Sequence, residues 1–344
     1  MNTSRIAFRV VLSGLCTIAV LADMPAHAQY TFQTINNPSA TSVAYPNDGT
    51  GTDATGVNNA GQIVGFYVDA TGYHGFLDTD GSFKNVDVPG AQTSNYGTAT
   101  FAYGINNNGL IVGRYNGPNG PGDEHGFLFG GDSATFTTIS NPNAVYGTVA
   151  YSVNDAKQVA GYYQDNVGIH GYIYDGGTDI FASIPGPTGA KFSYADGINN
   201  AGDIVGAYTD GNGTGYHGFI LSGNSYLTVD APGAIYGTFL QGINNVGQAV
   251  GYYNDATGNH SFVYSAGTFT AINDPSATDG FGTYVEGIND TGVVIGSYRD
   301  AEGDHGFLAT PAAVPEASGT ASLGLLLALG LGSVVAVRKK RSAI

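Results

Sequence analysis

The sequence has no tryptophan, one cysteine, and only 11 Lys and Arg against 27 Asp and Glu in 344 residues. Cys16 sits inside a leading apolar run that reads as an export signal, so the mature chain is expected to have no thiol. That excludes a disulfide framework, a Cys-ligated zinc or iron–sulfur site and a cysteine nucleophile. The shortage of positive charge excludes more. From residue 29 to 316 only Lys84, Arg114, Lys157, Lys191 and Arg299 stand against 26 carboxylates, a net charge of roughly −21. Nothing there could neutralise a phosphate backbone, so no nucleic-acid partner is expected. No G-x-S-x-G, H-E-x-x-H or P-loop occurs either.

What is abundant is glycine, 54 residues, and tyrosine, 23, and both are arranged in a repeat. The segment G-V-N-N-A-G-Q-I-V-G-F-Y, starting at Gly56, returns five times with variation. Its leading Asn falls at 58, 106, 154, 199, 244 and 289, in steps of 48, 48, 45, 45 and 45. A second landmark follows each: His74, His125, His170, His217, His260 and His305, each trailed by a small residue and an aromatic. A third, F-x-x-(I/V)-x-x-P-(S/G)-A, is seen at Phe83 and Phe136 and, varied, at Phe181, Tyr226 and Phe269. A period of this length reads as a supersecondary unit that buries its apolar face against its neighbours.

Each unit reads as four short strands. G-I-N leads into an N-x-x-G turn whose Asn and Gly accept positive φ, then a β-branched strand, an Asp/Gly turn, H-G-F-L and a fourth strand. The pattern predicts an all-β fold, a six-bladed β-propeller of four-stranded antiparallel blades over residues 29–310. Phe32 to Ala40 is a fourth-strand segment standing alone before the first unit, and the last unit stops after Leu308 without one. The displaced N-terminal strand is expected to complete the last blade. Without Trp there is no WD signature.

The ends read as addresses. Arg5 and Arg9 precede an apolar run and the small-x-small site Ala26-His27-Ala28, so residues 1–28 are a signal peptide with cleavage before Gln29 by signal peptidase. Residues 311–320 form a linker holding Val314, Pro315 and Glu316, residues 321–337 a single apolar transmembrane helix, and residues 338–344 a basic cytoplasmic tail. This order resembles the PEP-CTERM sorting signal read by the membrane protease exosortase of Gram-negative bacteria, with Ala317 where the usual motif has a second proline. The N-x-x-G, G-x-Y and H-G-F blocks resemble the HAF repeat of exported bacterial proteins, which brings no catalytic residues. The resemblances imply transient inner-membrane anchoring, then release to the cell surface or beyond, with exopolysaccharide or other matrix as partner.

The candidate residues divide by geometry. Six His on third strands lie too far from a common centre to share one ion, so a structural role is expected: hydrogen bonding a turn while packing on the aromatic two places on. Asp69, Asp165, Asp210, Asp255 and Asp300 close second strands and read as turn caps. No cofactor is expected, with calcium left open at Asp210, Asn212 and Thr214. These imitate half of an EF-hand loop whose twelfth place is Leu221 rather than Glu. The Tyr of each G-x-Y reads as packing between units. The insert around Glu124 is the segment to search for specialised function. The expected function is a non-enzymatic adhesion or exopolysaccharide-associated module; the alternative is a polysaccharide hydrolase or lyase with acids on the innermost strands of a central channel.

Overall fold

The computed structural model describes residues 30–41, 51–92, 98–119, 122–130, 135–211, 215–278 and 282–312. The expected signal cleavage site (Ala26, Ala28, Gln29), the sorting motif (Val314, Pro315, Glu316), the 321–337 span and the calcium candidates Asn212 and Thr214 lie outside them. Among the described residues no helix is long and apolar enough to cross a membrane.

The described chain is all β. After β1 (Tyr30–Ile35), the first unit is β2 (Thr52–Val57), β3 (Ile63–Asp69), β4 (Gly72–Thr79) and β5 (Ser82–Asn85). The second is β6 (Thr98–Ile105), β7 (Ile111–Asn116), β8 (Glu124–Gly130) and β9 (Thr135–Ile139). The third is β10 (Gly147–Val153), β11 (Gln158–Gln164), β12 (Ile169–Asp175) and β13 (Ile180–Ile184). The fourth is β14 (Phe192–Ile198), β15 (Ile204–Thr209), β16 (Tyr216–Ser222) and β17 (Ser225–Val229). The fifth is β18 (Gly237–Ile243), β19 (Ala249–Asp255), β20 (Gly258–Ser265) and β21 (Thr268–Ile272). The sixth has β22 (Thr283–Ile288), β23 (Val294–Asp300) and β24 (Gly303–Pro311). Within every unit neighbouring strands pair antiparallel, and β1 pairs antiparallel with β24 from Tyr30↔Pro311 to Ile35↔Gly306. This is an arrangement of antiparallel sheets consistent with a propeller-like β fold.

The alternation of the strands puts one apolar face of each unit against the next. Val64, Val86 and Val88 of the first unit pack with Ala102, Ile105, Ile111 and Phe127 of the second. Equivalent clusters follow along the chain, and one of them joins Ile35 and Ile295 to Ala54, Val57, Ile63, Tyr67 and Phe76 of the first unit.

The N-x-x-G turn is templated by its own asparagine. Asn58 Oδ1 accepts hydrogen bonds from the Ala60 and Gln62 amides at 3.1 and 3.0 Å, and Gly61 takes φ +77°. The third unit has Lys157 at that turn place, at φ +65°. A non-glycine residue in this region costs about 1 kcal/mol, while glycine costs roughly 0.5–1 kcal/mol in chain entropy. Lys157→Gly is therefore expected to be neutral or to stabilise by up to about 1 kcal/mol in urea unfolding. A clear loss would show that the Lys157 side chain makes a contribution beyond the turn.

Candidate functional site

The first strand of every unit contains a β-bulge. The register of β2 on β3 shifts between Ala54 and Gly56, and the same shift occurs at Ala102/Gly104, Ala150/Ser152, Ala195/Gly197, Leu240/Gly242 and Val285/Gly287. Each bulge adds one residue to the strand and re-aims its side chain. Those residues are Thr55, Tyr103, Tyr151, Asp196, Gln241 and Glu286, and all six line one cavity of ≈110 Å³.

The same cavity is walled by the repeat asparagines. Asn58 Nδ2 donates to the Asn106 carbonyl at 3.1 Å, Asn106 to Asn154, Asn154 to Asn199, Asn199 to Asn244 and Asn244 to Asn289; Asn289 then donates to the Asn58 carbonyl at 3.2 Å. A second series runs through the next position: the backbone amides of Asn59, Asn107, Asp155, Asn200, Asn245 and Asp290 each donate to the following unit's side-chain oxygen, again returning to Asn59. Asp155 Oδ2 accepts from the Asn107 and Asn200 amides, and Asp290 Oδ2 from Asn59 and Asn245. Burial opposes ionisation of Asp290, but these donated hydrogen bonds outweigh it and hold its carboxyl below the usual value.

Below this level an aromatic belt passes from unit to unit. Tyr73 and Phe66 each lie 5.0 Å from Phe101. Tyr103 stacks on Tyr151 at 4.7 Å, and contacts continue through Tyr162, Tyr194, Tyr216 and Phe239 to Tyr252, which lies 5.4 Å from Tyr284. Between Tyr284 and Phe66 two of the ring positions carry other residues. Asp53 stands there at the strand position that carries Phe101, Tyr194, Phe239 and Tyr284 in other units, and Ser297 at the position of Phe66, Tyr162 and Tyr252. Where these rings are missing, a second cavity of ≈600 Å³ opens. It shares Tyr103 and Glu286 with the smaller one.

Charge in the larger cavity is unevenly matched. Arg114 Nη1 donates to Glu124 Oε1 at 2.7 Å and its Nε to the Tyr103 hydroxyl at 2.9 Å, with the guanidinium 4.2 Å from the Phe101 ring centre. Arg299 Nη2 donates to Asp304 Oδ2 at 2.9 Å. Glu286, which lines both cavities, and Asp196, which lines the smaller one, have by contrast no hydrogen-bond or ion-pair partner among the described residues, and Asp196 is only 7% exposed. Burial, and after it the charge of Asp53, pushes the Glu286 carboxyl up to about 7. Burial, and after it Glu286, pushes Asp196 well above the carboxylate range.

A raised carboxyl pKa means that between the unfolded value near 4.5 and about 7 the folded chain holds a proton that the unfolded chain lacks. Stability therefore falls as pH rises through that window and levels off above it. Glu286→Gln removes this cost. Its urea-unfolding free energy should match the parent near pH 4 and exceed it by about 3 kcal/mol at pH 8. An equal difference at both pH values would refute the uncompensated-carboxyl account.

The histidines stand elsewhere, on third strands. His74, His170, His260 and His305 bring Nε2 within 3.0–3.2 Å of Asp69, Asp165, Asp255 and Asp300, five residues earlier. His125 Nε2 lies 3.0 Å from Asp123, and His217 Nδ1 lies 3.0 Å from Asp230. Each imidazole packs on the Tyr directly opposite in the second strand, such as Tyr67 at 5.2 Å from His74. The residue two places on, Phe76 in the first unit, instead enters the core. The turn aspartates accept local amides, as Asp165 Oδ1 does from Val167 and Gly168. Glu124, in the unusual insert, reaches the larger cavity through Arg114.

Asp53, Asp196, Glu286 and the aromatic belt are not marked by any motif in the sequence. The available signal was variability at one place: the residue before (G/S)-(I/V)-N runs Thr, Tyr, Tyr, Asp, Gln, Glu inside an otherwise regular repeat.

No family model and no curated protein matches the chain. Solved structures similar to it include a mutant of AofleA from Arthrobotrys oligospora, 13% identical over 80% of this chain and 90% of that one, with a TM-score of 0.45. Trypanosoma rangeli sialidase is 7% identical over 87% of this chain and 61% of its own, with a TM-score of 0.47. Dipeptidyl peptidase 4 of Porphyromonas gingivalis is 9% identical over 82% and 51%, with a TM-score of 0.37.

Proposed function

We propose that this is an exported surface or matrix protein that binds a saccharide in the larger cavity without turning it over. The observation that carries the reading is the ≈600 Å³ cavity between aromatic walls, opened where Asp53 and Ser297 stand in place of rings. Aromatic faces stack on the apolar faces of sugars, while carboxyl, hydroxyl and guanidinium groups suit their hydroxyls. The six units form a closed six-bladed propeller in this reading, with β1 as the last strand of the sixth blade. Its support is the pair of hydrogen-bond series that return to Asn58 and Asn59 and the cluster joining Ile35 and Ile295 to the first unit. The bulge residues then line its channel. The repeat pattern supports a HAF-type protein, and the terminal motifs support signal-peptidase cleavage followed by exosortase processing after transient membrane anchoring. An intact C-terminus on surface protein, read by mass spectrometry, would instead support a plain anchor.

The binding reading is tested by restoring the missing ring. Ser297→Tyr should weaken oligosaccharide binding at least tenfold in calorimetry while the melting midpoint stays within a few degrees. Unchanged affinity would place binding elsewhere. A second reading, hydrolysis or lyase cleavage of polysaccharide, is favoured by three acids on first strands, Asp53, Asp196 and Glu286, with Glu286 poised near neutrality. Released oligosaccharide, with turnover lost in Glu286→Gln, would establish it.

A further inference from the structure

We infer that the bound saccharide is an amino sugar with a free ammonium group, seated against Glu286 and Asp196 and surrounded by tyrosine rings. The inference rests on the saccharide-binding reading and adds the class of sugar. Its starting point is a pair of acidic side chains for which no described group supplies a hydrogen bond or a counter-charge. Glu286 and Asp196 both line the smaller cavity, and neither is hydrogen-bonded or ion-paired among the described residues. Asp196 is also more than nine-tenths buried, at 7% exposure. A buried carboxylate without a partner is costly, and a ligand cation between the two would remove that cost.

The surroundings choose among cations. Tyr103 and Tyr151 line the same cavity, and Tyr162, Tyr252 and Tyr284 continue the belt beside them. Aromatic faces attract ammonium groups, so the belt and the carboxyls recognise the same feature. A divalent ion fits less well. Calcium takes six to eight oxygen ligands, and no group of three or more His, Cys, Asp or Glu side chains converges on a point among the described residues.

Anionic sugars are disfavoured by the same accounting. The two arginines of the larger cavity are already paired, Arg114 with Glu124 and Arg299 with Asp304, so a uronate or sulfate would meet carboxylates without an available counter-charge. Because Glu286 and Tyr103 belong to both cavities, a sugar ring in the larger one can direct an ammonium into the smaller one. At longer range, a net charge of roughly −21 on residues 29–316 draws a polycation toward the protein. A linear polyamine shares the ammonium but lacks the ring face that would use the aromatic walls of the larger cavity.

The test is calorimetry on the mature protein at pH 7.5 and 150 mM salt with four probes: a glucosamine tetramer, its N-acetylated counterpart, a neutral glucose tetramer and spermidine. The glucosamine tetramer should bind at least about tenfold tighter than the other three. That preference should disappear in Asp196→Asn and Glu286→Gln, both checked for an intact melting transition, and should shrink at pH 5.5 as the carboxyls take up protons. Equal binding of the three tetramers would leave the saccharide reading standing and overturn the ammonium inference. Tight spermidine with weak tetramers would overturn it in favour of a polyamine. Binding of none of the probes would count against both. A preference that survives both substitutions would reduce it to attraction by the acidic surface and reject the site.

Discussion

A chain lacking residues 29–40 is expected to lose about 5 kcal/mol or more of folding free energy and to melt about 10 °C or more below the intact protein. The described part of that segment pairs the first described strand with the last one. β1 contributes six residues of antiparallel ladder to β24, which would otherwise present a raw edge. Ile35, 7% exposed, fills the cluster between the sixth and first units, and Phe32 packs on Phe307 at 5.6 Å. Burial of side chains this size contributes roughly 1.5–3 kcal/mol each. Polar contacts add to it: Thr34 Oγ1 lies 3.1 Å from the Tyr298 hydroxyl, and Asn36 Oδ1 lies 3.1 Å from His305 Nδ1. The Asn37 amide donates to Thr52 Oγ1 at 2.9 Å, which ties the segment to the first unit as well. An unchanged melting midpoint in the truncated chain would contradict this account and weaken the closed-ring proposal with it.

The parts of the structure that were legible in the sequence are those written by local chemistry and repeated. The N-x-x-G turn needs a side-chain acceptor and a positive φ, and its spacing marks each unit; even the exceptional Lys157 occupies the left-handed region that its five glycine counterparts use. Four strands in each of the first five units followed from turn residues and alternation. The cavity was not legible, because it depends on bulges. An extra residue in a strand breaks the period of two, so Asp196 and Glu286 could not be assigned a face by counting from their neighbours. The acids therefore read as evenly scattered, although Asp53, Asp196 and Glu286 lie on the first strands of different units that the fold brings to adjoining cavities. The histidine environment was only partly legible for a related reason. Residues directly opposite on paired strands come closer than residues two apart on one strand, so His74 packs on Tyr67 while Phe76 turns to the core.

The glycine before x-Tyr in each second strand gives the other large effect. Gly206 pairs with Ala195 beside the bulge at Asp196, and a methyl group placed on it would lie 2.0 Å from the Tyr194 carbonyl oxygen and 2.9 Å from the carbonyl carbon. The same approach recurs at Gly65, Gly113, Gly161, Gly251 and Gly296, at 1.8–2.0 Å from a backbone oxygen. The obstacle is main chain held in a ladder, so it cannot swing aside as a side chain would. Gly206→Ala is expected to cost about 3 kcal/mol or more, through strand separation beside a fully buried core that includes Phe219. Gly202→Ala, four residues earlier, provides the contrast. Its added methyl meets nothing within 4 Å, and the cost is confined to φ +85° in the turn, about 1 kcal/mol. Urea unfolding of the two variants should therefore differ by about 2 kcal/mol with Gly206→Ala the weaker. Because separating β14 from β15 also moves the bulge, Gly206→Ala should weaken ligand binding in the fraction that still folds, whereas Gly202→Ala should not. Equal stability losses would mean that the strands yield to the methyl group and that the bulge, with Asp196 on it, is not held in place by this contact.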